Sequence, residues 1–240
     1  MNGAPAPPRL RIAVVLFALT VTAGAVDAIT FLGLGHAFAA LTTGNVLFLG
    51  FGVTRAGTPV ARPAEALVAF VLGAVAAHTV VTRLGRRGGR WFVPALALET
   101  ATVLLAGLVV VLTSGQGAPT ELVTAIAVVL LAAAMGWRNR VMVQASIPDM
   151  PTTVLQITLV KLLAGLLPGR TAEAREPALT RVRRLGTVLG VFVGGVAGAL
   201  LLRLGPGPAL LCVAGLSGLV TTLYARARRL RPAPESTRVR

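Results

Sequence analysis

Two stretches of this chain set polar side chains among apolar neighbours. Residues 24–50 read GAVDAITFLGLGHAFAALTTGNVLFLG and hold Asp27, His36, Thr42, Thr43, Gly44 and Asn45. Residues 136–161 hold Arg138, Asn139, Arg140, Gln156, Thr158 and Lys161. Glu99 stands alone in a third apolar run. A charge at the centre of a bilayer costs roughly 3 kcal/mol on insertion scales, so such groups face a protein interior or a water-filled cavity. Asp27 can therefore handle a proton or cation, hold a polar solute, or cap a helix that re-enters the membrane. Thr43-Gly44-Asn45 can expose unwound backbone to an ion or solute, or close a turn on itself. Arg138, Asn139 and Arg140 suit an anionic solute, since guanidinium matches carboxylate and phosphate; equally, they mark the cytoplasmic end of a span. Glu99 suits a proton relay, or an interfacial or arginine-paired position.

Other chemistries lack support. His36 and His78 have no Cys, Asp or Glu at ligand spacing, so no metal site is expected. No nucleophile elbow, phosphate loop or zinc signature appears. No catalytic residue, no cofactor and no enzymatic activity are therefore expected. Cys212 is the only cysteine, which rules out a disulfide within one chain. It lies in an apolar run and reads as a small buried hydrophobe.

The elements that must position these residues are membrane spans. Only 13% of the chain is charged, where soluble domains run to about 25%. Mean hydropathy is +0.81. Long apolar runs reach the roughly 20 residues that cross a bilayer as a helix. The expected fold class is an all-α integral membrane protein. The net charge of +15 comes from arginines clustered between apolar runs and at the C-terminus. That is the positive-inside pattern rather than a nucleic-acid surface. The expected surroundings are a lipid bilayer, without nucleic acid.

Residues 1–9 read as a disordered tail, residues 10–225 as one membrane domain, and residues 226–240 as a basic tail. The first span covers residues 10–34 and is read as a span, not as a cleaved leader. A short segment follows at residues 37–53, cut by Thr43-Gly44-Asn45. Spans then cover residues 63–82, 91–113 and 121–131, the last ending in the polar cluster Met135 to Arg140. A second short segment covers residues 151–167, and a charged loop at residues 168–184 precedes spans at 185–202 and 209–224. Ala69, Gly73 and Ala77 lie at four-residue spacing, as do Gly186, Gly190, Gly194 and Gly198. Such stripes let two helix backbones approach closely. On the first span, Thr20, Ala23, Asp27 and Thr30 share one face.

The two halves, residues 10–113 and 119–225, repeat one order of elements. At a spacing of about 112 residues, Gly24-x-x-Asp27 aligns with Gly136-x-x-Asn139. If both short segments are re-entrant, six full spans remain. The N-terminus, the Arg83 to Arg90 loop, the Arg170 to Arg184 loop and the C-terminal tail then share one side, with only Arg55 and Arg62 as notable exceptions. Three spans per half also invert one half against the other, an architecture typical of transporters.

Asp27-Ala28, Phe31, Phe38 and Thr43-Gly44-Asn45, followed by Met135-Gly136-x-x-Asn139, Pro148-Asp149 and Thr152-Thr153-Val154, resemble the YoaK-like bacterial membrane proteins. The resemblance runs over residues 14–224. It implies an inner-membrane protein of about six spans with no established activity, substrate or cofactor. The family pattern has Gln at Arg138, a small residue at Arg140 and a second Thr-Gly at Gln156-Ile157, so the second motif is altered here.

The expected function is transport or channelling of a small solute or ion across the bacterial inner membrane, with both termini cytoplasmic. Asp27, Thr43, Gly44 and Asn45 from one half are expected to face Asn139, Gln156 and Thr158 from the other, with Glu99 and Arg138 nearby. The solute is small and polar or anionic. The alternative is a non-transporting scaffold or stress-associated interaction protein.

Overall fold

The computed structural model describes residues 8–54, 57, 60–86, 91–114, 118–144, 160, 163 and 178–226. The described helices are α1 (Pro8–Gly33), α2 (Thr42–Val53), α3 (Ala61–Arg86), α4 (Phe92–Ser114), α5 (Glu121–Gln144), α6 (Ala178–Leu201) and α7 (Pro206–Arg226). There is no strand among the described residues. All but α2 are long and apolar enough to cross a bilayer, which makes this an all-α, multi-pass membrane protein. Only a helix satisfies its own backbone hydrogen bonds in hydrocarbon, so apolar runs of this length fold in no other way. Large apolar side chains line the outside as well as the core: Phe192 is 68% exposed and Leu72 62%. In water such a surface is a liability, whereas in lipid it is the expected coat.

Glycine-mediated crossings set the helix pairs. A Cβ on Gly194 of α6 would lie 2.2 Å from the Val21 carbonyl oxygen of α1, and one on Gly198 would lie 2.5 Å from that of Ala25. A Cβ on Gly73 of α3 would lie 2.1 Å from the Ala133 oxygen of α5. One on Gly136 of α5 would lie 2.0 Å from the Phe70 oxygen of α3. Both four-residue stripes thus serve the purpose expected of them, close contact of backbones. A third pair, α4 and α7, meets through Gly107 beside Leu210 and Leu211 and through the rings of Phe92 and Tyr224, 5.1 Å apart.

The same contacts set direction. Arg62 reaches Glu121 near the starts of α3 and α5, and Arg140 reaches His78 near their ends, so this pair is parallel. Gly190 faces Thr20 and Gly198 faces Ala28, so α1 and α6 are parallel too. α4 and α7 run antiparallel. At the centre, α1 opposes α5: Gly35 abuts Thr124 at one end, and Arg138 reaches the Leu19 carbonyl towards the other. The start of α1, the end of α3, the start of α6 and the end of α7 therefore share one side.

Several boundaries differ from expectation. Thr43-Gly44-Asn45 lies in the first turn of α2 instead of cutting a helix. α5 continues through the polar cluster to Gln144, because Gly136 receives the α3 backbone and Arg138 finds internal partners. α6 starts at Ala178, so Arg184 lies within a helix and is buried instead of looping out. Cys212 is exposed, where burial was expected. It sits on the outer face of α7, and a lipid-facing position is as apolar as a core one. The remainder of the second short segment, including Gln156, Thr158 and Lys161, lies outside the described residues; Val160 and Leu163 within it are helical and exposed.

Candidate functional site

The first cluster is built on α1. Gly35 (φ +102°) and His36 (φ +59°) turn the chain back on itself after α1 ends. Residues 37–41 then descend along α1 until they reach Asp27. The Asp27 carboxylate accepts the backbone N–H of Ala40 at 2.7 Å and that of Leu41 at 3.2 Å. Asp27 lies six residues before the end of α1, so the loop dips about 9 Å below that end. α2 climbs back out, its Gly52 packed against Val60 ahead of α3. Since α1 ends and α3 starts on the same side, this segment is re-entrant. Val46, Leu47 and Val53 form its exposed apolar face.

Asn45 closes the loop on itself. Its Oδ1 accepts the Phe38 N–H at 2.9 Å and its Nδ2 donates to the Phe38 carbonyl at 2.7 Å. Gly44 leaves room for the Phe38 ring, whose nearest carbon would lie 2.7 Å from any added Cβ. That ring stacks on Phe31 at 4.6 Å, and Phe48 joins the stack. Thr43 points outward and is exposed. Asp27, Gly44 and Asn45 are therefore brought together, and the polar atoms of Asp27 and Asn45 are engaged by backbone. Thr20, Ala23 and Thr30 are buried on the same face of α1, as the spacing required.

The second cluster lies deeper towards the opposite side. Arg138 of α5 donates through NH2 to Glu99 Oε1 of α4 and through NH1 to the Leu19 carbonyl of α1 at 2.7 Å. Both side chains are essentially inaccessible, at 2% and 1%. Beside them, Trp137 Nε1 donates to the Ala95 carbonyl at 3.0 Å. Glu99 Oε2, Arg138 Nε and the Ser217 hydroxyl on α7 are buried and find no hydrogen-bond partner among the described residues. Glu99 thus takes the arginine-paired position, and Arg138 marks no helix end. Arg140, two residues on, bonds His78 and Gln144. Asn139 is half-buried next to Arg138. Arg62, an exception to the charge rule, is engaged by Glu65 and Glu121.

The two clusters do not meet. Along the antiparallel α1 and α5, Leu19 is level with Arg138 and Gly35 with Thr124. Asp27 lies eight residues from Leu19, which puts it about 12 Å along the axis from the Arg138–Asn139 level. The expected facing of Asp27 and Asn139 across one site is replaced by two polar layers at different depths. Ser217 was missed in the sequence, although a lone hydroxyl between Gly215 and Gly218 in an apolar run is a visible signal. The Leu19 carbonyl had no such signal. No group of three His, Cys, Asp or Glu side chains that could hold a metal occurs among the described residues.

Comparison with known proteins agrees with this architecture. The UPF0700 transmembrane protein YoaK of Bacillus subtilis (strain 168) is 30% identical over 149 residues, 62% of this chain. The match spans 64% of that protein's length. No solved structure matches the chain. A family model described as "Protein of unknown function (DUF1275)" matches residues 15–223. The chain belongs to the DUF1275 family, as a YoaK-like multi-pass membrane protein.

Proposed function

We propose that this protein moves a small polar or anionic solute, or an ion, across the bacterial inner membrane, without a catalytic step. The observation that carries the reading is the exchanged pairing of its helices. Swapping the halves, with α1 for α5, α3 for α6 and α4 for α7, turns the α1–α6 pair into the α5–α3 pair. The Gly24–Gly194 crossing then maps onto the Gly136–Gly73 crossing. The α4–α7 and α1–α5 contacts map onto themselves, and α1–α7 maps onto α5–α4. An inverted repeat predicts this exchange, and inverted repeats with a re-entrant or broken element recur in transporters. The positive-inside rule puts both termini in the cytoplasm on this reading.

The polar layer at Glu99 and Arg138 is the solute site on this reading. An ionisable pair buried within membrane-crossing helices is expensive to maintain, and such residues mark solute and proton pathways. Asp27 and Asn45 hold the re-entrant loop in place rather than the solute.

The test is stopped-flow light scattering on proteoliposomes challenged with glycerol, urea, sodium chloride, potassium nitrate and sodium glutamate. Volume recovery faster than in protein-free liposomes for one of these, and lost in Arg138→Gln, supports transport. Recovery equal to protein-free liposomes for all five, from folded protein, favours a second reading. In that reading the chain is a non-transporting scaffold, and the complete internal bonding of Asp27 and Asn45 is the observation in its favour.

A further inference from the structure

We propose that the outer seam of α3 and α5, at His78, Arg140 and Gln144, docks the phosphate of an anionic phospholipid. Three observations carry this. First, the seam presents donors only. Arg140 Nε donates to His78 Nδ1 at 3.2 Å, and Arg140 NH2 lies 3.0 Å from the same nitrogen. NH2 also donates to Gln144 Oε1 at 2.7 Å. With Nδ1 accepting, the remaining ring proton of His78 sits on Nε2. What the cluster has left, among the described residues, is both N–H groups of Arg140 NH1, the His78 Nε2–H and the Gln144 amide N–H groups. A phosphate offers the reverse, acceptors only, and guanidinium suits it.

Second, the charge has no counter-ion among the described residues. Their carboxyl groups are Asp27, Glu65, Glu99 and Glu121. Asp27 and Glu99 are engaged in the interior. Glu65 and Glu121 hold Arg62 near the starts of α3 and α5, on the opposite side of the membrane. His78 is exposed and Arg140 half-buried, so this cation faces outward. The inner face of the same seam is sealed by Ala77, Val81 and Val141, all buried. A lone cation on the outside of a span is expensive in lipid, and an anion seated on it offsets that cost.

Third, the depth is that of lipid headgroups. α4 runs antiparallel to α5, and Trp137 of α5 bonds the Ala95 carbonyl of α4. Trp91 lies four residues outward from Ala95, about 6 Å, and Arg140 three residues outward from Trp137, about 4.5 Å. Arg140 is therefore close to the level of Trp91, and tryptophan marks the membrane–water boundary. The bond to Gln144 draws the guanidinium towards the end of α5, where the headgroups are. Deeper in the bilayer, Val75 and Val71 share the face of His78 and are exposed. They form an apolar strip for acyl chains, which a soluble anion would leave unused. Basic pockets between spans on this pattern take anionic headgroups. The site stands apart from the transport reading.

The experiment is native mass spectrometry of the full chain, released from detergent with phosphatidylglycerol or phosphatidylcholine added. One phosphatidylglycerol should stay bound in preference to phosphatidylcholine. Arg140→Gln should weaken that first site about five- to tenfold. Arg226→Gln removes an exposed charge on the same side, at the end of α7, and should leave the site within about twofold. His78→Ala keeps the charge but loses the bond that aims it, and should weaken the site about threefold; it serves as the test should Arg140→Gln fail to fold. Equal retention of both lipids overturns the proposal. So does equal loss in Arg140→Gln and Arg226→Gln, which would mean diffuse surface charge. Displacement of the lipid by millimolar inorganic phosphate overturns it too, in favour of a site for a free anion.

Discussion

The Asp27 carboxylate holds the Ala40 backbone N–H at 2.7 Å, across thirteen residues of chain. This one bond, with its companion to Leu41, fixes the depth to which the chain after α1 re-enters. Asp27→Ala leaves two backbone donors unpaired in a region with little water, at about 1–3 kcal/mol each. Asp27→Asn keeps one acceptor and should lose roughly half as much. Thermal unfolding in detergent measures the loss. A cysteine at Thr43 should become faster to label in Asp27→Ala, since the loop is released while α1 stays in place.

The Glu99–Arg138 pair should show strong coupling. Removing either partner strands a buried charge, so Glu99→Met and Arg138→Met should each cost about 3–5 kcal/mol. The double change to Met removes both charges and should be less damaging than either single change. A double-mutant cycle on unfolding midpoints checks this. Equal, additive losses would show that the two groups do not depend on each other.

Neighbouring glycines on α6 should behave oppositely. Gly194→Ala drives a methyl against the Val21 carbonyl, forcing α1 and α6 apart at about 1–3 kcal/mol. Gly195→Ala meets nothing within 4 Å and should be neutral or stabilising by about 0.5–1 kcal/mol, because alanine is the better helix former. Gly73→Ala and Gly136→Ala should resemble Gly194→Ala, with Ala133 and Phe70 oxygens in the way. The comparison is read from thermal midpoints of the variants in one detergent.

Sidedness is open to direct labelling. In a Cys212→Ser background, cysteines placed at Arg83 and Ala118 should react with an impermeant maleimide from opposite faces of sealed vesicles. Arg83 is near the end of α3 and Ala118 lies between α4 and α5, and both are exposed. Labelling of both from one face would contradict the six-span arrangement.

Much of the fold was legible, and the reason is physical. Hydrocarbon demands long apolar helices, so spans show in composition. Close helix crossings demand residues without a Cβ at four-residue steps, so Gly73, Gly194 and Gly198 announced the pairs, though not which helix each would meet. The Thr43-Gly44-Asn45 turn and Asp27 stood out as polar residues in an apolar setting, but the partners of Asp27 and Asn45 are backbone groups, which any sequence supplies. Glu99 and Arg138 lie 39 positions apart, and only the packing of α4 on α5 joins them. Arg138 looked like a helix end because arginines usually lie there in membrane proteins. Cys212 was misread because in lipid the inside and outside of a helix are equally apolar.

The exchanged pairing also bears on how the chain matures. α1 leaves the ribosome long before α6, and α3 before α5, yet the glycine faces of α1 and α3 pack against those later helices. During synthesis the first half must therefore wait in the bilayer with its tightest surfaces unfilled. Neither half is a folding unit, since each supplies one strut of both crossings. Expressed separately, the halves should be short-lived and prone to pairing with the wrong helix, and only co-expression should restore a compact bundle. The bundle is knitted from an earlier and a later helix at each crossing rather than joined from two finished domains.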